Sequence, residues 1–539
     1  MKIRIRINED GALRNQRFAF SDRFTLVSEL LQNARRAGAS LIQIQHDAEA
    51  RTLRVQDDGA GIEDFQKLLT FHESGWDDAT CQEERPFGVG FTKCLYAATH
   101  CTVASRGHRI DFDTENALAR ASIDVQRINE HASSAVDGSM ERGTRVQLQG
   151  VDLPDLAQRI QTLCRGFEVP VEFNGQMLIR PDAKGALHFV RTTIGEVHLV
   201  GTLNGEHSTE LQVYLQGFCV MRRPSYPLSH RVNVIHLDPK EFMARLPDRD
   251  TLIDADKQEQ RIRVELRALW REVLLERKAE LLPERFVADF YAVMRSWSHL
   301  DLLDDVDVLP AESCEAVVGY PIQVDSTERS YLQTMTRAPA RQDIESGKVT
   351  LVSVEEIGED NAGRWMYARA KGLVVFSPYL LGPTHWVQAH VRYLDDEDVT
   401  VEPIGVQAST TLEGRWVWPE LQLCRSVRVT VGGDAVEITD AGVYSDGRLY
   451  IPEGETSGDA VRQASNFIDS NEQFREDDLE ADREALADLI RLLRSVNPKD
   501  TLNTLLAELR LEKYPLLHGK AFRVTVGQVA GEHAIELID

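Results

Sequence analysis

The sequence predicts a multidomain α/β protein: an α/β sandwich, a second α/β unit, then β-rich and helical regions. Three observations carry that reading. At 539 residues the chain is too long for one hydrophobic core, since single cores stop growing at about 250–300 residues. Up to about residue 165, strand-like alternation and helix-like periodicity take turns between glycine clusters. Beyond residue 300, a strand-rich stretch with regular turn signals gives way to helical periodicity. The expected boundaries are 1–165, 166–299, 300–455 and 456–539.

The elements follow in order. Met1 to Ile7 alternates apolar and basic residues, a strand pattern. Residues 24–38 place Val27, Leu30, Leu31 and Ala34 on one helical face. Residues 41–46 and 51–56 alternate as a hairpin around a turn at 47–50, and the second strand runs into Asp57-Asp58-Gly59-Ala60-Gly61. Helices are predicted over 63–71 and 91–98. Strands dominate 166–255, at 196–200, 211–215 and 232–235. A long helix then carries Ile262, Leu266, Leu269 and Val273 on one stripe and ends at Pro283, before another helix over 284–299. Residues 300–310 read as a linker or short acidic turn. Residues 345–455 are strand-rich, with turns at Gly414, Gly432-Gly433 and Asp446-Gly447. Residues 456–517 are helical, with an acidic face at Glu476-Asp477-Asp478 and an apolar stripe through Leu486, Leu489, Ile490 and Leu493. Strands near 521–527 and 533–538 close the chain.

Composition narrows the function classes. No apolar run approaches the roughly 20 residues of a membrane span, and the N-terminus lacks the apolar stretch of a secretory signal, so a cytoplasmic protein is expected. The seven cysteines (81, 94, 101, 164, 219, 314 and 424) form no C-x-x-C pair, so neither a zinc site nor a disulfide framework is indicated. A formal net charge of −25 repels a nucleic-acid backbone unless basic residues gather locally. The best such cluster, Met221-Arg222-Arg223 through Arg231, is short. His385, His390, Trp416 and Trp418 show no ligand or triad spacing and read as ordinary core or surface residues.

Three clusters in the first 100 residues bear on chemistry. Glu29 and Asn33 lie four apart on the first helix, so both project from one face. An amide oxygen there can bind a hard cation such as Mg²⁺, and a carboxylate one turn away can orient a water against phosphorus. By itself that pair is commonplace. Asp57, at the end of a strand, can accept a hydrogen bond from an exocyclic amine such as adenine's, with glycines admitting a flat base. The same segment can equally be a strand-to-helix turn capped by Asp. Pro86-Phe87-Gly88-Val89-Gly90-Phe91 opens a helix, where free N–H groups and the positive dipole end attract anions. It is neither the dinucleotide fingerprint nor a Walker A loop.

In this order and spacing, the clusters resemble the N, G1 and G2 boxes of the GHKL ATPases (gyrase, heat-shock chaperone, histidine kinase, MutL). Glu29 to Ala37, Asp57 to Gly61 and Gly88 to Gly90 carry the likeness, and Gly143-Thr144 matches a fourth family element. The resemblance implies a Bergerat-type α/β sandwich that binds ATP with Mg²⁺. Asn33 would ligate the metal, and Asp57 would receive the adenine amino group with Thr144 beside it. Gly59, Gly61 and Ile62 would belong to the base pocket. Gly88, Val89, Gly90 and Phe91 would form the phosphate loop, and Glu29 would be the general base. Residues 68–87 would be a lid. Where many relatives carry an Asp three residues after the Asn, this chain has Arg36, so different base contacts are expected.

Glu29 argues against the sensor-kinase branch, which generally lacks that carboxylate. The ATPase branches attach a transducer domain whose basic residue reaches the γ-phosphate, and residues 166–256 have the size and strand content for one. Arg245-Leu246-Pro247-Asp248-Arg249-Asp250-Thr251-Leu252 looks like the Arg-acid-x-Leu element of the ninety-kilodalton heat-shock chaperone, the branch closest in motifs. Arg249 is therefore the leading candidate, ahead of Arg245 and Lys240; a surface arginine in a loop salt bridge is the alternative. The implied function is an ATPase whose lid closure and homodimerisation act on a protein client, in the manner of a chaperone. The alternatives are a DNA-metabolism or mobile-element-defence ATPase that clamps nucleic acid, and an ATP sensor that does not hydrolyse. No Toprim-like acidic motif or metal-nuclease cluster supports the DNA reading. The C-terminal half resembles no family.

Overall fold

The computed structural model describes residues 23–71, 90–128, 141–221, 231–245, 249–322, 330–355, 361–529 and 531–538, with isolated positions 4, 8, 11, 13, 15, 73, 75, 76, 80 and 88. Val89, Cys81, most of the N-terminal strand over 1–7, most of the lid over 68–87 and the basic cluster over 222–230 therefore lie outside the described residues. The chain divides into two compact units, residues 1–281 with 289–299, and residues 282–288 with 300–539. No helix among the described residues is long and apolar enough to cross a membrane.

The first unit opens with α1 (Thr25–Arg36), which buries Leu26, Val27, Leu30, Leu31 and Ala34. Each fully buried Leu or Val removes enough apolar surface to stabilise by roughly 1.5–3 kcal/mol. β1 (Ile42–Asp47) and β2 (Thr52–Asp57) form the expected hairpin. Asp47 Oδ1 closes its turn by accepting from the amides of Glu49 (3.0 Å) and Ala50 (2.9 Å). Short helices α2 (Phe65–Leu69) and α3 (Cys94–Ala97) follow, the latter entered through a 3₁₀ turn at Phe91–Lys93. β3 (His100–Ser105), β4 (His108–Asp113), β5 (Gln126–Arg127), β6 (Thr144–Gln149), β7 (Val171–Phe173) and β8 (Gln176–Met177) complete an eight-stranded sheet ordered β5-β4-β3-β6-β2-β1-β7-β8. Helix α1 and one sheet face share a core that includes Leu31, Ile42, Ile44, Leu53, Val103 and Leu148.

A second sheet, ordered β12-β11-β13-β10-β9, is built from β9 (Val190–Thr192), β10 (Gly195–His198), β11 (Leu211–Leu215), β12 (Phe218–Met221) and β13 (Asn233–Leu237). The long helix, Ala255–Glu280, buries Ile262, Leu266, Trp270 and Leu274. This corrects the expected stripe. The inward row runs strictly by fours, with the large Trp270 in the core and Leu269 and Val273 half-buried on its flank.

The second unit holds two five-stranded sheets that share one core. β14 to β18 span Cys314–Val317, Leu332–Thr334, Leu351–Ser353, Val374–Phe376 and Val391–Tyr393; β19 to β23 span Val399–Thr411, Glu420–Val431, Asp434–Ile438, Val443–Ser445 and Arg448–Ile451. The glycine turn signals fall between these strands, but the strand-rich reading missed a helix, Ala362–Lys371, which buries Trp365, Met366, Tyr367 and Ala368. Two expectations gain detail. Of the linker and the short acidic turn expected for 300–310, the turn is observed: Leu300–Leu303 is a 3₁₀ turn, and Leu302, Leu303, Val306 and Leu309 are buried. The acidic face at Glu476 to Asp478 opens the Glu476–Leu493 helix and is partly buried. Asp478 is 3% exposed and pairs with Arg415 (2.7 Å) and Arg475 (3.2 Å). Asp482 is fully buried, accepting from the amides of Arg415, Trp416 (2.9 Å) and Val417 (3.0 Å). Leu493 lies on the exposed side. His385 is buried, His390 and Trp418 are exposed, and Trp416 stacks on Phe467. The six described cysteines are free thiols.

Candidate functional site

Register builds one end of the site. Asp57 ends β2 directly opposite Thr144, the first residue of β6, and Thr144 lies opposite Ser105 at the end of β3. Three neighbouring strand ends thus set Asp57, Thr144 and Ser105 in a row. Gly143, at φ +82°, turns the chain into β6 where a Cβ would fall 2.0 Å from the Asp57 carbonyl oxygen. Only glycine fits that approach. Ser105 Oγ donates to the Gly143 carbonyl (2.7 Å) and accepts from the Ile62 amide (2.9 Å), tying the Asp57 turn to the Thr144 strand.

Adjacent carboxylates take opposite roles here. Asp57 is 9% exposed and accepts from the Gly59 amide at 2.9 Å. Burial pushes its carboxyl above the usual range, against the Gly59 and Thr144 amides and reinforced by the charge of Asp58. Asp58 points outward and accepts from the Ser40 hydroxyl and the amides of Ser40 (2.7 Å) and Leu41 (3.1 Å). The Ser40 hydroxyl leads in holding that carboxyl low. Asp58 therefore fixes the loop before β1, while Asp57 faces the cavity.

That cavity measures about 490 Å³, the size of a small-molecule site. It is lined by Glu29, Asn33, Asp57, Gly61, Ile62, Gly88, Gly90, Phe91, Thr144 and Arg249 among the expected residues, and by Arg36. Gly59 lies just behind the wall, where a Cβ would meet Ala37 at 2.7 Å. Arg245 and Lys240 are exposed and are not among the lining residues. From the lid, Glu73, Gly75, Trp76 and Thr80 reach the lining.

The opposite end gathers charge. Glu29 is 8% exposed, and Gly90 packs so closely that a Cβ would stand 2.0 Å from Glu29 Oε2. Gly90 has ordinary right-handed helical dihedrals, so this glycine is needed for proximity. Arg249, from the segment after β13, brings Nε to 3.6 Å from Glu29 Oε1. Asn33 adds an amide oxygen one helical turn from Glu29. Among the described residues, no group of three or more His, Cys, Asp or Glu side chains is placed to hold a metal. That donor set fits Mg²⁺ only as an ion completed by water and phosphate oxygens, the usual arrangement for this cation.

Sequence reasoning missed Ser105, Gln32 and Gln216. Gln32 is 1% exposed on α1, and its spacing from Glu29 already placed it on the same face. Nothing in one sequence marks Ser105, a serine at a strand end. Gln216-Gly217 reads as a two-residue turn, but its partner across the fold is not local information.

Residues 22–146 match the family model described as histidine kinase-, DNA gyrase B- and HSP90-like ATPase. A search of curated proteins finds no match to the chain. The matched segment contains Glu29, Asn33, Asp57, Gly88, Gly90 and Thr144, and ends before Arg249. Over residues 22–146 the chain is therefore similar to the ATPase domains of the histidine kinase, DNA gyrase B and HSP90-like superfamily.

Proposed function

We propose that the chain binds ATP with Mg²⁺ in this cavity and hydrolyses it, using the cycle as a conformational switch. The observation that carries the reading is Arg249. It comes from outside the matched segment, yet lies against the carboxylate best placed to activate water. Asp57 and Thr144 would receive the adenine edge. The Gly88 to Gly90 turn would present amides to the phosphates. Asn33 would hold Mg²⁺, which when bound supplies charge neutralisation to the β- and γ-phosphate oxygens. Glu29 would orient the attacking water and draw its proton, with Arg249 meeting the charge that develops on the γ-phosphoryl group. In the structure as it stands, Arg249 faces Glu29, so phosphate would draw the guanidinium from one anion to another within the same pocket.

Lid closure over residues 68–87, homodimerisation and action on a protein client, in the manner of a chaperone, complete the proposal. Support for a protein partner comes from the C-terminus. No described residue from 491 to 538 is buried, and Phe522, Val524, Ile535 and Leu537 share one exposed face of the β24–β25 hairpin (Ala521–Thr525 and Ala534–Ile538). An apolar hairpin face without a core beneath it favours a macromolecular contact.

The deciding experiment pairs phosphate release with nucleotide binding for the wild-type chain and Glu29→Ala. Loss of turnover with ATP binding retained is expected. Unaltered turnover in the variant refutes the general-base role. A wild-type chain that binds ATP without releasing phosphate is a sensor instead of an ATPase.

A further inference from the structure

The geometry points to a glutamine clasp, Gln216 with Gln32, as the positioning device that holds Arg249 at the site. The inference rests on the ATPase reading of Glu29 and Arg249 and adds two residues that reading does not contain. Gln216 and Gly217 are the two turn residues between β11 and β12, with Leu215 paired to Phe218. Both are left-handed, at φ +53° and +85°. A two-residue hairpin requires that conformation and favours Asn, Asp or Gly in it. Glutamine has no local advantage there, and its longer side chain reaches away from the turn.

It reaches the nucleotide site. Gln216 Oε1 accepts from Arg249 Nη1 at 3.0 Å and lies 2.6 Å from the Gln32 amide nitrogen. In the alternative arrangement both amides turn over, and the Gln32 oxygen accepts from Arg249 Nη1 (3.3 Å), Arg36 Nη2 (3.1 Å) and the Gln216 amide nitrogen (2.6 Å). In either arrangement one glutamine oxygen accepts from Arg249 and the other glutamine donates to that oxygen. Arg249 is itself at φ +55°, an uncommon backbone for arginine, and its side chain is 13% exposed. A left-handed hairpin turn, a left-handed loop residue and the buried face of α1 thus converge on one guanidinium. Glu29 and Gln32, three apart on α1, contact it side by side. Strained backbone persists only where its surroundings over-determine it. In this role Gln216 never touches substrate; it fixes the direction from which Arg249 approaches. Whatever moves the β11–β12 hairpin would therefore change the rate of turnover more than nucleotide affinity.

The test uses the full chain with Mg²⁺ and ATP. Gln216→Asn is the chosen variant because Asn is well tolerated at positive φ, so the turn survives while the side chain loses one methylene of reach. The expected result is a fall in kcat of roughly 10- to 150-fold, the loss of one hydrogen bond to a charged group. Affinity for a fluorescent ATP analogue should change less than about 2-fold, since the turn itself is intact. In Gln216→Asn with Arg249→Ala, the combined loss should equal that of Arg249→Ala alone, the mark of two residues acting as one unit. Wild-type turnover in Gln216→Asn overturns the clasp, as does a loss that adds to Arg249→Ala. If the wild-type chain binds nucleotide but releases no phosphate, the ATPase reading fails separately. The clasp is then judged by thermal unfolding of the same variants, where additive shifts in Tm overturn it and non-additive shifts retain it.

Discussion

Replacing Asp57 by Asn separates the two jobs that this carboxylate does. In the folded chain Asp57 is nearly buried, and Oδ1 already serves the Gly59 amide at 2.9 Å. Asn keeps that acceptor only by leaving Oδ1 where it is, which turns Nδ2 toward the cavity. An adenine amino group would then meet a donor where it needs an acceptor. A hydrogen bond to a charged group contributes about 1.5–3 kcal/mol, so the Kd for ATP should rise roughly 10- to 150-fold at 1.4 kcal/mol per decade. ADP should suffer equally, because the loss is at the base end, and a nucleotide with a 6-oxo group should bind the variant relatively better. Stability should move the other way. Burial raises the Asp57 carboxyl above its usual value, so its folded form binds protons more tightly than its unfolded form. The favourable contribution is full below the unfolded value and is lost as pH rises through the folded one. At neutral pH the ionised group is therefore a burden that Asn removes. Calorimetric titration with ATP and ADP, beside thermal melts at neutral and acidic pH, reads both effects. An unchanged Kd, or a variant that melts well below wild type at neutral pH, would refute the reasoning.

Two further outcomes follow from packing and burial. Gly90→Ala should keep the fold but lower turnover by at least about 100-fold, the scale of an ångström-level displacement of a reacting group. The added Cβ stands 2.0 Å from Glu29 Oε2, and steady-state phosphate release against circular dichroism checks it. Burial lowers the pKa of His236, whose Nε2 lies 2.7 Å from the Asp182 carbonyl oxygen, and of His385. Both folded values lie below the ordinary value of about 6.5, so this stability is present above that pH and is lost as pH falls from it through the folded values. The urea midpoint should drop between pH 7.5 and pH 5.5, and His236→Asn should flatten the profile for the first unit; an unchanged midpoint in wild type counts against both assignments.

Much of the first sheet was legible because its signals are local. Alternation over Ile42 to Asp57 set the hairpin, and period-four apolar residues set α1. Local signals also explain the errors. In the long helix the sequence points equally to Leu269 and Val273 or to Trp270 and Leu274, the pair that is buried, because both rows satisfy the same periodicity and only side-chain volume in the packed core chooses between them. The acidic face at Glu476-Asp477-Asp478 gives no sign that Asp478, and Asp482 one turn on, are buried, because the amides and arginine that bury them arrive from residues 415–417, far along the chain. The Ala362–Lys371 helix disappeared into a strand-rich window for a similar reason: Trp365, Met366, Tyr367 and Ala368 are buried together, so no polar face announced its period.

The site divides along the same line. Glu29 and Asn33 are coupled by helical spacing, and that much one sequence contains. Asp57 and Thr144 are coupled by strand register, which no spacing reveals across 86 intervening positions. Gly90 and Gly143 signal turns, but what makes each indispensable is a carboxylate and a carbonyl oxygen at 2.0 Å from the absent Cβ. Arg249 shows the limit most clearly. A motif made it a candidate, yet it depends on a hairpin turn 33 residues earlier and a helix more than 200 residues away. Residues that act on a reaction through geometry are selected for where the fold brings them. Their type alone is weak evidence, and Gln216, an ordinary residue in an ordinary turn, becomes consequential only because its amide ends beside a guanidinium.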